Sequence, residues 1–324
     1  MSHIAFIGEC MIELSGSKPD AIFGAAQLGF AGDTLNAATY MARTSRLLAD
    51  GKAQNTNDVS ANTASYITAL GTDPYSNAML HAWQQDGIGT DLVRQIDGAL
   101  PGLYAIQTDA HGERSFSYWR AHAAAKQMLS DGHDDKIRTA FAQLDGIYLS
   151  GITLAILSES DRTKMIKLVA DFADQGGKVY FDTNHRPRLW SDSQTAIAAY
   201  EAIAPLCHTV LPTFDDDATL FGDASPTDTA KRWLDAGVSE VIVKSGGDPT
   251  FYATQTGDTG SITPPVITDI VDTTSAGDSF NGAFLGAKSR GKTTPQAIVI
   301  AQQVAGRVIG RHGALVDISE LILA

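Results

Sequence analysis

The run Asp272-Thr273-Thr274-Ser275-Ala276-Gly277-Asp278 places small residues and two acids where an irregular segment gives way to a helix. The helix is read from Phe280, Ala283, Phe284 and Ala287, apolar at the i, i+3, i+4, i+7 spacing. Small side chains at a helix start leave backbone N–H groups accessible at the positive end of the dipole, which suits a phosphate. A carboxylate at that junction, Asp278, faces the surroundings of the bound anion. The chemistry that uses such a group is proton abstraction from a hydroxyl during phosphoryl transfer. The same seven residues also read as an ordinary helix capped by an Asp, with Gly277 present for packing. The rest of the chain has to separate the two readings.

Other polar clusters follow apolar runs. Gly29 to Ala38 is a glycine-bearing turn opening a helix to about Leu48, with Asp33 or Thr34 as N-cap and Asn36 one turn inside. Asn36 either reaches a ligand or is a solvated helix-start residue. Asp182 to Trp190 (DTNHRPRLW) carries Arg186 and Arg188 around a proline, and arginine suits a bidentate grip on carboxylate or phosphate. Tyr118-Trp119-Arg120 is an aromatic–cation cluster. Lys244-Ser245-Gly246-Gly247 either walls a nucleotide or is a plain turn. Thr213-Phe214-Asp215-Asp216-Asp217 either acts through Mg²⁺ and its waters or is an acid-rich helix start. Gly286 to Thr293 (GAKSRGKT) fits the P-loop pattern, but a helix precedes it and Pro295 opens the next, so the Walker reading fails. No GxGxxG follows the first strand, and the histidines lack metal-ligand spacing.

The elements that would hold these groups alternate. Strands are expected at Ile4–Ile7, Ala64–Leu70, Gly146–Ser150, Lys178–Asp182, Thr209–Leu211 and Glu240–Lys244. Helices are expected at Ser76–Asp86, Ser158–Asp174, Ser193–Ala204 and Thr227–Ala236, with a strand and then a loop over Pro264–Val271. This rhythm predicts an α/β fold, a doubly wound and mainly parallel sheet with helices on both faces, whose sites lie beyond the carboxyl ends of the strands. Three consecutive β segments, 92–96, 102–108 and 114–119, interrupt it and read as a small lid, with a tight link at 109–112. Residues 51–62 read as an unpatterned, mobile polar loop.

The chain has 324 residues, 37 acidic and 24 basic, a formal net charge of -13. That charge disfavours nucleic acid and anionic membrane as partners. Two cysteines, Cys10 and Cys207, make no disulfide framework, and no secretory or membrane-spanning run is present, so a soluble cytoplasmic protein is expected.

Together these stretches resemble the ribokinase-like (PfkB) carbohydrate kinases over essentially the whole chain. Asp272–Asp278 is similar to that family's DTxGAGD signature, and Gly32–Asn36 to its N-terminal sugar-binding motif. The pieces Ile7–Leu14, Arg114–Arg120 and Asn184–Trp190 resemble most the 2-keto-3-deoxygluconate (KDG) kinases of the family. The resemblance implies one kinase domain over 1–324 with a β-lid from segments near 9–30 and 92–120. It implies Mg²⁺–ATP as the phosphoryl donor, KDG as the acceptor and a homo-oligomer, a dimer through the lid or larger. Asp278 would be the base, and the N–H groups of Ser275, Ala276 and Gly277 the anion hole. Gly32, Asp33, Thr34 and Asn36 would bind the sugar acid, with Tyr104, Tyr118 and Arg120 closing from the lid and Arg186 reaching the substrate or the phosphates. Asn184, Thr213, Lys244, Ser245, Gly246, Gly247 and Gln302 would border the nucleotide.

Two departures stand out. Ser275 replaces a glycine of the signature, which backbone donors tolerate if its φ is allowed. Thr213-Phe214-Asp215-Asp216 replaces the family's NxxE, leaving the metal contacts unassigned. A sugar acid fits a net-acidic protein only if arginines such as Arg120 and Arg186 supply local positive charge. A neutral-sugar kinase of the same fold and a non-catalytic sugar-acid sensor are the alternatives, and Asp278 argues against the second.

Overall fold

A computed structural model of the chain describes residues 2–16, 24–49, 63–108 and 114–323. The loop at 51–62 and the link at 109–112 lie outside the described residues.

The first strand, β1 (Ile4–Ile7), shows how the interior is built. All four residues are buried, Ile4 and Phe6 in one apolar cluster, Ala5 and Ile7 in another, because successive strand side chains point to opposite faces. Apolar cover on both faces is the usual condition of a parallel sheet. β1 lies between β4 (Ala64–Leu70) and β9 (Gly146–Ser150). The parallel order continues through β10 (Lys178–Asp182), β11 (Thr209–Val210) and β12 (Glu240–Val243). At that edge β13 (Thr250–Thr254) and β14 (Thr259–Ile262) add an antiparallel hairpin with no counterpart in the sequence reading. The strand expected within 264–271 does not form: Pro264 and Pro265 have no N–H to donate, and Val266 stands 90% exposed.

A second sheet runs in the order β3 (Ala26–Ala31), β2 (Met11–Gly16), β7 (Leu103–Thr108), β8 (Arg114–Trp119). The lid segment expected at 92–96 is elsewhere. Its residues form β6 (Val93–Gln95), which pairs in parallel with β4 beside β5 (Ile88–Gly89). The reason is apolar content: Leu92, Val93 and Ile96 pack against the main core, which an open lid does not offer.

Helices α1 (Asp33–Leu47), α2 (Pro74–Gln85), α9 (Ala276–Ser289) and α10 (Thr294–Ile309) cover one face. The other face carries α3 (His133–Phe141), α4 (Gly151–Ile156), α5 (Glu159–Asp174), α6 (Ser193–Ile203), α7 (Phe214–Phe221) and α8 (Pro226–Asp235). No helix among the described residues is long and apolar enough to cross a membrane. Between α9 and α10, Thr293 forms a capping box with Gln296, and Lys288 donates to Thr294 Oγ1 at 3.0 Å. The P-loop-like run therefore joins the end of α9 to the cap of α10.

α1 and α9 approach closely because α9 presents Gly282 and Gly286 to its neighbour. A Cβ on Gly282 would lie 2.2 Å from the Ala37 carbonyl oxygen, and one on Gly286 2.9 Å from that of Met41. This approach brings the first turns of the two helices together, and the site lies there.

Candidate active site

The carboxyl ends of β1, β9, β10 and β12 deliver Glu9, Ser150, Asp182 and Lys244 to the edge where α1 and α9 begin. Asp278, in the first turn of α9, accepts a hydrogen bond from Asn36 Nδ2 at 2.9 Å. Asp33, opening α1, accepts from Ser150 Oγ at 2.5 Å and from Asn184 Nδ2 at 2.9 Å. Both acids are half-buried. Burial pushes Asp278 up to about 7, and the neighbouring Asp33 carboxyl adds to the rise; burial likewise raises Asp33. A carboxyl that titrates near neutrality and is oriented by an amide is suited to take a proton from an alcohol.

The start of α9 is a tight turn whose amides are only partly engaged. A turn closes from the Ala276 N–H to the Thr273 carbonyl at 3.2 Å, so that donor is engaged. The amides of Ser275 and Gly277 make no hydrogen bond among the described residues. Asp272 ties the loop down, accepting from Thr274 N at 2.9 Å and Gly313 N at 3.0 Å. Ser275 sits at φ 63, ψ 12, the left-handed region that glycine occupies without penalty. Its hydroxyl is buried without a partner among the described residues. Ser275→Gly is therefore expected to raise the unfolding free energy by about 1 kcal/mol in urea titration, without loss of turnover. A drop in stability would show that the hydroxyl holds the turn.

The lid contributes a row formed by strand register: Glu13 opposite Tyr104, and Tyr104 opposite Tyr118. Tyr104 donates its hydroxyl to Glu13. Its ring lies 5.9 Å from that of Tyr118, which is 51% exposed. Arg120 at the end of the lid is paired with Glu9, an acid 2% exposed whose pKa burial raises and Arg120 lowers. Glu9 Oε1 has no hydrogen-bond partner among the described residues. Arg186 donates to its neighbour's carbonyl at His185 and to Asp216 at 3.1 Å. Both arginines thus carry a carboxylate partner already, where the sequence suggested free positive charge.

Several expected ligand residues are committed elsewhere. Thr34 is fully buried with its hydroxyl 3.0 Å from that of Tyr66, so it braces α1 and faces no cleft. Asn184, expected at the nucleotide, turns to Asp33 and is held at φ 29 by that bond and by its N–H to Asp182 at 3.3 Å. Gln302 is buried, its amide donating to Thr250 Oγ1 and the Ile262 carbonyl, where it fixes the edge hairpin. Gly32 is the N-cap of α1, ahead of the Asp33 or Thr34 expected there; a Cβ on it would lie 2.1 Å from the Glu9 carbonyl oxygen. Thr213 bridges to Lys244 at the strand ends; Ser245 beyond them is half-buried, and Gly246 and Gly247 form an exposed turn.

Glu9, Ser150 and Asn281 also lie at this edge and were not singled out from the sequence, whereas Asp182 was read with Asn184 at the strand end. Asp182 accepts from Lys244 Nζ at 3.3 Å and from Asn281 Nδ2 at 2.8 Å, and Lys244 also donates to Asn281 Oδ1 at 3.0 Å. The available signal was Asn281 itself, an amide amid the buried apolar stretch of α9 three residues after Asp278.

A carboxyl raised toward neutrality at a helix start, on the carboxyl edge of a doubly wound sheet and beside a β-lid, is an arrangement that suits a phosphotransferase acting on an alcohol. The chain belongs to the pfkB family carbohydrate kinases, whose model matches residues 1–321. It is 41% identical to 2-dehydro-3-deoxygluconokinase of Haemophilus influenzae over 98% of this chain and 96% of that protein. It is 38% identical to the enzymes of that name from Dickeya dadantii (98% of each chain) and Escherichia coli K12 (97% and 96%). Among solved structures, a PfkB protein from Polaromonas superposes with a TM-score of 0.80 at 21% identity, covering 96% of each chain. An E. coli protein described as a ribokinase II, solved with ATP and Mg²⁺, superposes at 0.78 and 21% identity over 97% and 94%.

Proposed function

We infer that this chain is an ATP-dependent kinase that converts 2-keto-3-deoxygluconate to 2-keto-3-deoxy-6-phosphogluconate. The observation that carries the reading is the near-full-length identity of 38–41% to kinases named for that substrate, and the Asn36–Asp278 hydrogen bond at the start of α9 supports it.

In this reading the C6 hydroxyl lies against Asp278, which takes its proton as the oxygen attacks the γ-phosphorus and the bond to the β-phosphate oxygen breaks. Asn36 orients the base. The Ser275 and Gly277 amides meet the transferred group, and the turn at Ser245–Gly247 borders the nucleotide. Asp33, Arg120, Arg186, Tyr104 and Tyr118 surround the sugar acid. When bound, Mg²⁺ neutralises the phosphate charge. Among the described residues no cluster of three or more metal-binding side chains exists, and Mg²⁺ needs none, since it takes one or two carboxylates plus phosphates and waters. Asp216, close enough to Asp182 and Lys244 to feel their charges, fits that role.

The reading extends to a homodimer through the lid, whose strands leave Leu28, Phe116 and Trp119 exposed at 54%, 38% and 62%. It extends also to the cytoplasm, where two buried free thiols are stable. An ADP-release assay with KDG, fructose and ribose tests the substrate. Turnover is expected on KDG, and robust turnover on a neutral sugar alone would sink the reading.

A further inference from the structure

The Lys244 side chain leaves the nucleotide-bordering turn behind it and runs into the catalytic edge. Its ammonium is buried, 8% exposed, and lies 3.3 Å from Asp182 Oδ1 and 3.0 Å from Asn281 Oδ1. An ammonium has three N–H donors, so these two partners leave one. The remaining direction is marked by Gly277. A Cβ built on that glycine would have a single neighbour within 4 Å, Lys244 Nζ at 3.7 Å. The missing side chain therefore opens a space bounded by the Gly277 backbone on one side and a fixed positive charge on the other.

The partners hold that charge in place. Asp182 is 3% exposed, and its second oxygen accepts from Asn281 Nδ2 at 2.8 Å, while Asn281 also donates to the Tyr148 hydroxyl at 3.0 Å. Lys244 can thus neither swing into solvent nor exchange partners without leaving a buried carboxylate uncompensated. A preorganised donor of this kind stabilises charge where it develops more than charge already present.

We propose that Lys244 is a catalytic residue of this kinase, donating its third N–H to a non-bridging oxygen of the phosphoryl group in transfer, with Asp182 and Asn281 as its positioning residues. The inference rests on the phosphotransferase reading and adds a donor to it. The electron balance of the step is unchanged: the sugar oxygen forms its bond to phosphorus, the pair of the breaking bond leaves on ADP, the proton goes to Asp278, and Lys244 only donates a hydrogen bond.

The test compares Lys244→Met, Lys244→Arg and the double variant Asp182→Asn/Lys244→Met, which removes the uncompensated carboxylate should the single change prevent folding. Each is assayed with KDG, or with whichever sugar the wild-type protein turns over, so that a wrong substrate assignment appears in the wild type alone. The expected result is a kcat lowered by about 10²–10³-fold in both Met variants, with ATP affinity by calorimetry changed far less. Affinity for ADP–aluminium fluoride in the presence of the sugar should fall in step with kcat, which a merely structural role would not produce. Lys244→Arg should recover part of kcat. A folded double variant with wild-type kcat, or a loss confined to ATP affinity, would overturn the proposal.

Discussion

Asp278→Asn is expected to lower kcat by about 10³–10⁴-fold, with sugar-acid and ATP affinity close to those of the parent. The amide is isosteric and can keep its contact with Asn36, so what is lost is the ability to take a proton. Unchanged turnover would refute the base. The pH profile of the parent supplies a second check. Asp278 must be ionised to act, and burial beside Asp33 raises it to about 7, so kcat/KM should climb up to that region and then level off. Since the two acids interact, the limb belongs to the pair.

Stability should move in the opposite sense. The folded state raises this carboxyl above its unfolded value of roughly 3.9 and so binds its proton more tightly. Its stabilising contribution is complete below the unfolded value and is lost as pH rises through about 7. Asp278→Asn should therefore melt higher than the parent at pH 8 and close to it at about pH 4. Equal melting temperatures at both pH values would mean that Asp278 carries no such shift.

Arg120→Ala is expected to have the second largest effect, and it combines two losses. The first is structural: Glu9 is buried and Arg120 is its ion-pair partner, so truncation leaves a carboxylate uncompensated, worth roughly 3–5 kcal/mol. The second is functional: the lid loses the charge proposed to meet the carboxylate of the sugar acid. Adding Glu9→Gln separates them. The double variant should recover most of the lost melting temperature, because the amide needs no counter-charge, yet kcat/KM on KDG should stay at least about 10²-fold down. Recovery of activity along with stability would show that Arg120 serves the fold alone. In the proposed reading a substrate carboxylate would share Arg120 with Glu9.

The alternation of buried strands with amphipathic helices was legible because period 2 and period 3.6 are local properties of the chain. The edge hairpin of β13 and β14 was not. Thr250 to Ile262 is rich in Thr and Gly, and its strands exist through pairing with β12. Strand 92–96 was recognised as a strand but assigned to the wrong sheet, since a short apolar run does not state which core will bury it. The position of an acid and a glycine at the start of α9 was readable from type and spacing. Thr34, Asn184 and Gln302 were misplaced because a hydroxyl or amide carries no mark of its direction.

The sequence by itself determined the fold class and drew attention to the helix start at Asp272–Asp278, because each follows from local pattern, small residues and one carboxyl. Only the tertiary structure decided how those groups are charged and aimed. The close approach of α1 and α9 at Gly282 sets Asn36 on Asp278, burial moves that acid toward neutrality, and Glu9 and Asp216 turn out to pair the arginines. Those outcomes depend on distances between residues far apart in the chain and on the water removed between them, and neither quantity exists until the chain is folded.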